Sequence, residues 1–330
     1  MTLLEIMIAV GIASAVMAMA VSVVGAGVTL ARKGEQTVAS NEASRAGMEM
    51  LLRDLRIAGT GGGLFVTDSA GTPVQINSIF TQAGTNGTDE LWLVVPRSNM
   101  MQNDCSKVGS AAIVSASGTG PLTVNCTAPL AGATTLLVTN FSQGALISGL
   151  TLATGTSITY AESGVSGFSN NPQKGGFQRG DYVVPVDVVH YFVRLNAATN
   201  RPELIRSPGA LNTPVSAAAP FKDVSTNRQD RFPDIEDLQV AFGSGVAPSL
   251  TFASGHTVVY NPAAAPVALR LTVVGITPRP VLDDQNKVQP FGPVDVEDHL
   301  VSVPPPDPDG YRRSVYRRRI ELLNMGPANL

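Results

Sequence analysis

Residues 6–31 read IMIAVGIASAVMAMAVSVVGAGVTLA, a run without one charged side chain, which Arg32 and Lys33 bring to an end. It is long enough for a helix to cross the roughly 30 Å hydrocarbon core of a bilayer. A secretory signal peptide would place basic residues before a shorter apolar core and a small-residue cleavage site after it, and nothing basic precedes this run. Residues 1–31 therefore read as one membrane helix, and the chain as bitopic.

The helix does not have to stop at the membrane. No proline occurs before Pro73, and Met48, Leu51, Leu52 and Leu55 fall at i, i+3, i+4 and i+7, with Glu42, Arg45, Glu49 and Arg53 supplying a solvated face. Residues 32–58 are predicted to continue the same helix in amphipathic form, and the GTGGG run at 59–63 ends it. Such a helix of about 57 residues is about 85 Å long, so its second half must pack on something other than the membrane. Residues 59–330 supply it. Only 15% of the chain is charged, and Gly 32 and Pro 23 imply many turns. Short β-branched and aromatic runs between those turns predict strands at 73–80, 90–95, 134–140, 183–195, 235–242, 256–260, 268–276 and 314–323. The charge-poor stretch 104–180 reads either as short strands or as a long decorated loop. The expected fold class is α+β, a long N-terminal helix packed on a large antiparallel β-rich globular domain.

A net charge of -3 and a pI near 5.6 argue against a general nucleic-acid binder. Glu5 stands alone at the start of the apolar run, where an ionised carboxylate costs roughly 2.5–3.5 kcal/mol at a helix centre unless a partner compensates it. Two readings are open: Glu5 lies at headgroup level, or it is paired. Ala9 with Ala13, Gly11 with Ala15, and Ala18 with Ser22 repeat small residues at four-residue spacing, which suits close helix packing but also follows from a composition rich in Ala and Gly.

Residues 1–9, Met-Thr-Leu-Leu-Glu-Ile-Met-Ile-Ala, resemble the mature N-terminus of type IV pilins and type II secretion pseudopilins. The segments 232–242 (FPDIEDLQVAF), 186–193 (VDVVHYFV) and 316–324 (YRRRIELLN) resemble PilW-like minor pilins and, more loosely, GspJ-type pseudopilins. The resemblance implies a basic leader removed by a prepilin peptidase, an N-methylated Met1, and Glu5 paired with the N-terminal amine of a neighbouring subunit. The membrane helix would later become a filament-core helix, with Ala9, Gly11, Ala13 and Ala15 in its packing face. A lost basic leader also reverses the orientation that Arg32, Lys33 and Arg45 would otherwise dictate, and places the C-terminal domain in the periplasm. Where major pilins usually carry a proline, this chain has Ser22. The implied function is that of a minor pilin which, with other minor pilins, primes pilus assembly on an inner-membrane platform and joins the major pilin. It would sit at or near the extracellular pilus tip and present a PilY-type adhesin. The alternatives are a GspJ-like pseudopilin and a membrane-anchored periplasmic enzyme or receptor.

Cys105 and Cys126 are the only cysteines; beyond a membrane anchor such a pair is expected to form a disulfide, the alternative being two buried thiols. His190, His256 and His299 match no metal or catalytic spacing, and the sequence contains no G-x-S-x-G, G-x-x-x-x-G-K-[ST] or G-x-G-x-x-G motif. Neither an enzyme nor a cofactor or metal site is expected. Arg312, Arg313, Arg317, Arg318 and Arg319 cluster on and just before the last predicted strand. They read either as charge protecting an edge strand or as a docking site for an acidic face of a partner subunit.

Overall fold

The computed structural model describes residues 2–58, 63–67, 73–84, 87–97, 111–115, 122–125, 127–139, 144–148, 150–152, 156–160, 162–163, 181–216, 219–224, 228–246, 249–254, 266–281, 287–288, 291, 294–295, 300–301 and 310–322. Helix α1 runs unbroken over Leu3–Ile57, 55 residues. No proline interrupts its hydrogen-bond ladder. Residues 3–28 are all exposed, and the first buried position is Ser40. From there Ser40, Ser44, Gly47, Met48, Leu51, Asp54 and Leu55 form one buried stripe, while Glu42, Arg45, Glu49 and Arg53 stay exposed as their spacing predicts. Leu52, expected in the stripe, is only half-buried at its flank.

The strands are β1 (Gly63–Thr67), β2 (Pro73–Asn77), β3 (Ile79–Ala83), β4 (Asp89–Pro96), β5 (Ala111–Ser115), β6 (Leu122–Val124), β7 (Thr135–Thr139), β8 (Gly144–Ser148), β9 (Thr151–Leu152), β10 (Ser157–Thr159) and β11 (Glu162–Ser163). They continue with β12 (Tyr182–Asn196), β13 (Arg201–Ser216), β14 (Ala219–Asp223), β15 (Asp230–Pro233), β16 (Ile235–Val246), β17 (Ser249–Ser254), β18 (Ala268–Ile276), β19 (Val294–Asp295), β20 (Leu300–Val301) and β21 (Arg313–Glu321). Where the sequence left 104–180 open, the described part of it forms short strands. The run 73–80 is two strands, divided at Ser78, and the strand expected at 256–260 lies outside the described residues.

Strand β12 organises the large sheet. Its first third pairs with β7 and β5, and it then pairs with β4 over Val186–Tyr191 and with β13 over Val188–Asn196. All pairings are antiparallel except β1 with β8. A second sheet has the order β17-β16-β18-β21. Alternate residues of both sheets and the buried stripe of α1 share one core: Met48, Leu51 and Leu55 with Leu91, Tyr191 and Leu204 from the large sheet and Leu238, Leu271 and Val273 from the small one. Complete burial of a leucine such as Leu51 stabilises the fold by roughly 1.5–3 kcal/mol.

The small residues of the stripe set how closely the helix approaches. A Cβ on Gly275 of β18 would collide with the Ser44 hydroxyl, and one on Gly47 would come within 2.8 Å of Ile235. Ser40 lies 3.4 Å from Ser314 of β21, and the Ser44 hydroxyl donates to Ser40 O. Bulky side chains here would lift α1 off the small sheet.

Candidate assembly surface

Among the described residues α1 is the one helix long and apolar enough to span a membrane. Its first half presents Ala9, Gly11, Ala13 and Ala15 to the surroundings, with nothing within 4 Å of the position a Cβ on Gly11 would take. Apolar surface of this extent is the kind that lipid or other helices cover.

The N-terminus of α1 is built by Thr2 and Glu5. The Thr2 amide donates to Glu5 Oε2 at 2.8 Å and the Thr2 hydroxyl accepts from the Glu5 amide at 3.4 Å, a reciprocal capping box. Part of the compensation that Glu5 requires is therefore local, and the T-x-x-E spacing at 2–5 is its signal in the sequence. The carboxylate also faces the positive end of the helix dipole. Met1, Cys105 and Cys126 lie outside the described residues.

The second half of α1 is locked to the domain by Asp54, a buried carboxylate that the sequence reading passed over although it stands beside Leu51 and Leu55 in the apolar stripe. Tyr191 donates its hydroxyl proton to Asp54 Oδ2 at 2.8 Å, and Arg206 Nε donates to the same oxygen at 2.7 Å. Arg53 lies 3.3 Å from Oδ1. Burial, reinforced by the Asp54 charge, pushes the Tyr191 phenol far above its ordinary value. Burial alone would lower the Arg206 pKa, but its bonds to Asp54 and Tyr191 raise it. Helix and large sheet are thus joined by a charge-assisted bond in a dry environment.

The five C-terminal arginines separate. Among the described residues strand β21 is an edge strand, paired with β18 along its whole length. Arg313 is withdrawn into the protein: its guanidinium forms a two-point pair with Glu236 at 2.7 and 3.0 Å, and its side chain is 3% exposed. Arg317 Nε bonds Thr272 at 3.2 Å, and Arg319 lies 3.8 Å from Glu321. Arg312 precedes the strand and lines a polar cleft of about 100 Å³ between α1 and the small sheet, with Thr37, Ser40, Asn41, Thr277, Arg313 and Ser314. Arg317, Arg318 and Arg319 are exposed in succession.

His190 is buried where β4, β12 and β14 meet. Its Nδ1 is 3.0 Å from Asp223 Oδ1 and its Nε2 is 3.2 Å from Glu90 Oε2. The ring stacks on Trp92 at 3.8 Å between centroids, nearly parallel. Burial alone would lower its pKa; the bonds to Asp223 and Glu90 outweigh that and raise it. Burial would likewise raise Asp223, and His190 instead draws it below its ordinary value. The two carboxylates hold opposite nitrogens of the ring, which makes this an ion-pair clamp between strands. No known protein family, curated protein or solved structure matches the chain.

Proposed function

We propose that this chain is a PilW-like minor pilin that acts in assembly rather than catalysis. One observation carries the reading: a single continuous helix whose first half has no partner among the described residues and whose second half is built into the core of a large β-rich domain. That division suits a subunit stored in a membrane by the same segment that later packs against other helices. The Glu5 carboxylate at the tip of the exposed half of α1 supports it further, because a neighbouring N-terminal ammonium is the kind of cation that would pair with it. In this role the protein primes pilus assembly together with other minor pilins, is held with its domain in the periplasm, and ends at or near the pilus tip, where a large domain meets few neighbours and can present a PilY-type adhesin. A type II secretion pseudopilin of the GspJ kind would use the same helix, and the N-terminus does not separate the two.

N-terminal and intact mass spectrometry of protein from sheared surface filaments and from membranes tests the proposal. An N-methylated Met1 preceding Thr2 in the filament fraction is the expected result. A methylated chain confined to membranes favours the pseudopilin, and an unmethylated N-terminus returns the anchored enzyme or receptor to first place. Glu5→Ala should abolish incorporation into filaments while leaving the domain folded.

A further inference from the structure

The polar cleft between α1 and the small sheet has the lining of an anion site. Hydroxyls, the Asn41 amide and the guanidinium groups of Arg312 and Arg313 line it, and no acid is among the lining residues. Its volume of about 100 Å³ is well below the roughly 300–1,000 Å³ of a pocket for a drug-sized molecule, so what fits is one small group. The two guanidinium groups are not equivalent. Glu236 holds Arg313 by two bonds and balances its charge. Arg312 is exposed, and among the described residues its hydrogen bonds are made by its backbone alone. Asn41, half-buried one turn beyond Thr37 on α1, likewise bonds no described residue through its side chain.

Arg312 is held in place by a buried threonine. The Thr277 amide donates to Arg312 O at 3.0 Å, and the Thr277 hydroxyl accepts from the Arg312 amide at 3.2 Å and donates to Arg279 O at 2.9 Å. The Val281 amide donates to Gly310 O at 2.8 Å. Residues 277–281 and 310–312 are thus tied into one rim, which Pro278 and Pro280 stiffen by fixing φ. Arg279, exposed on that rim, adds a second positive charge. The cleft also has a definite height. Thr37 follows Ala31, the last residue of the apolar run, by six positions and Asn41 follows it by ten, about 9 and 15 Å along the axis. The headgroup layer of a bilayer extends about 5–8 Å beyond the hydrocarbon. With the apolar run in a membrane, the cleft stands just outside the headgroups, within the reach of a long side chain such as Arg312.

We propose that this cleft binds the phosphate group of an anionic phospholipid and so fixes the base of the domain against the membrane. Arg312 pairs with the phosphate charge, and the Asn41 amide and the hydroxyl left free in the Ser40–Ser314 pair supply neutral donors. Free inorganic phosphate presents the same chemistry, but the height of the cleft favours the lipid, whose phosphate is concentrated at that level. An acidic peptide would call for an extended groove, whereas the cleft admits one group. The inference rests on the assembly reading only in placing residues 6–31 in a membrane.

The test releases the full chain from nanodiscs holding equal amounts of phosphatidylglycerol and phosphatidylcholine and weighs it, with its retained lipid, by native mass spectrometry. The expected result is one phosphatidylglycerol per chain, retained about tenfold or more over phosphatidylcholine, whose choline cation would face Arg312. Arg312→Ala and Asn41→Asp, the second of which sets a carboxylate in the cleft, should each lower that retention about tenfold with an unchanged melting temperature. Arg318→Ala, which removes the same charge elsewhere on the small sheet, should retain the lipid as the parent does. Equal retention of the two lipids, parent-like retention by Arg312→Ala, displacement of the lipid by inorganic phosphate at matching concentration, or displacement by a glutamate-rich peptide would each overturn the proposal. If Glu5→Ala still forms filaments while the lipid is retained as expected, the assembly reading falls and the cleft stands. If filaments depend on Glu5 but the cleft retains no lipid, the reverse holds.

Discussion

The two halves of α1 share one backbone and differ in everything else. Residues 3–28 are exposed around the full circumference and carry no charge after Glu5; residues 40–55 bury one stripe and expose charges on the other. The difference shows that a helix can be continuous while its energetics are not. The first half is stabilised by whatever surrounds it, the second by the domain, and a change in one half should leave the other untouched. Asp54→Ala is expected to have the largest effect, because it strands the Arg206 charge and the buried Tyr191 hydroxyl. It should cost about 3–5 kcal/mol in urea unfolding of the full chain in micelles, with Asp54→Asn intermediate. A loss below about 1 kcal/mol would mean that the helix is not locked there.

The same chemical deletion at two sites sharpens the contrast. Leu51→Ala should destabilise the domain by about 2–5 kcal/mol, whereas Ile12→Ala should change domain unfolding by no more than about 0.5 kcal/mol. Equal effects at the two sites would refute the division of α1.

The His190 clamp lies within the β-rich domain, away from the buried stripe of α1, and predicts a pH dependence of domain stability that the exposed first half of α1 should not share. Because the folded pKa of His190 is raised, its stabilisation is complete below the ordinary 6.5 and disappears as pH rises through the folded value. Because Asp223 is lowered, its share is present above 3.8 and is lost as pH falls through its folded value. Thermal stability should therefore be greatest between those limits and decline on the alkaline side. His190→Gln should flatten that decline, and Leu51→Ala should leave its shape unchanged. Trp92 is the only tryptophan, so its fluorescence reports protonation of the stacked ring directly.

Thr2→Ala gives the smallest effect. Removing the cap should cost about 1 kcal/mol locally, seen as faster amide exchange in the first turn of α1 with no change in domain melting.

What could be read from the chain ahead of its structure follows from how local the signals are. The course of α1, its end at the glycine run and its solvated face were legible because helical periodicity depends on residues three and four apart. The strands Glu90–Val95 and Ala268–Ile276 were legible because both are mostly buried apolar runs, interrupted in burial only by the half-buried Glu90 and Arg270. By contrast, Arg201–Ser216 contains Pro202, Pro208, Pro214 and Gly209 and reads as a series of turns, yet it is the longest strand. Each proline falls where the outer ladder is interrupted. Pro202 precedes the residues paired with β15, Pro208 stands between those paired with β15 and those paired with β14, and Pro214 lies in the irregular stretch after Leu211. Their missing N–H groups are not required there. The candidate site divided in the same way. Glu5 and the small residues were visible in sequence, but the cap on Glu5 went unread, and the five arginines looked equivalent until Arg313 proved to be consumed by Glu236.

The sequence by itself determined one long helix, apolar in its first half and amphipathic in its second, leading into a β-rich domain, because composition and short-range spacing suffice for that. Only the tertiary structure decided that Asp54 locks the helix through Tyr191 and Arg206, that His190 joins three strands, and that Arg313 is withdrawn onto Glu236 while Arg317, Arg318 and Arg319 stay exposed. Those contacts join residues tens to hundreds of positions apart, and a pairing at that separation is selected by the packing of the whole core rather than by any local pattern.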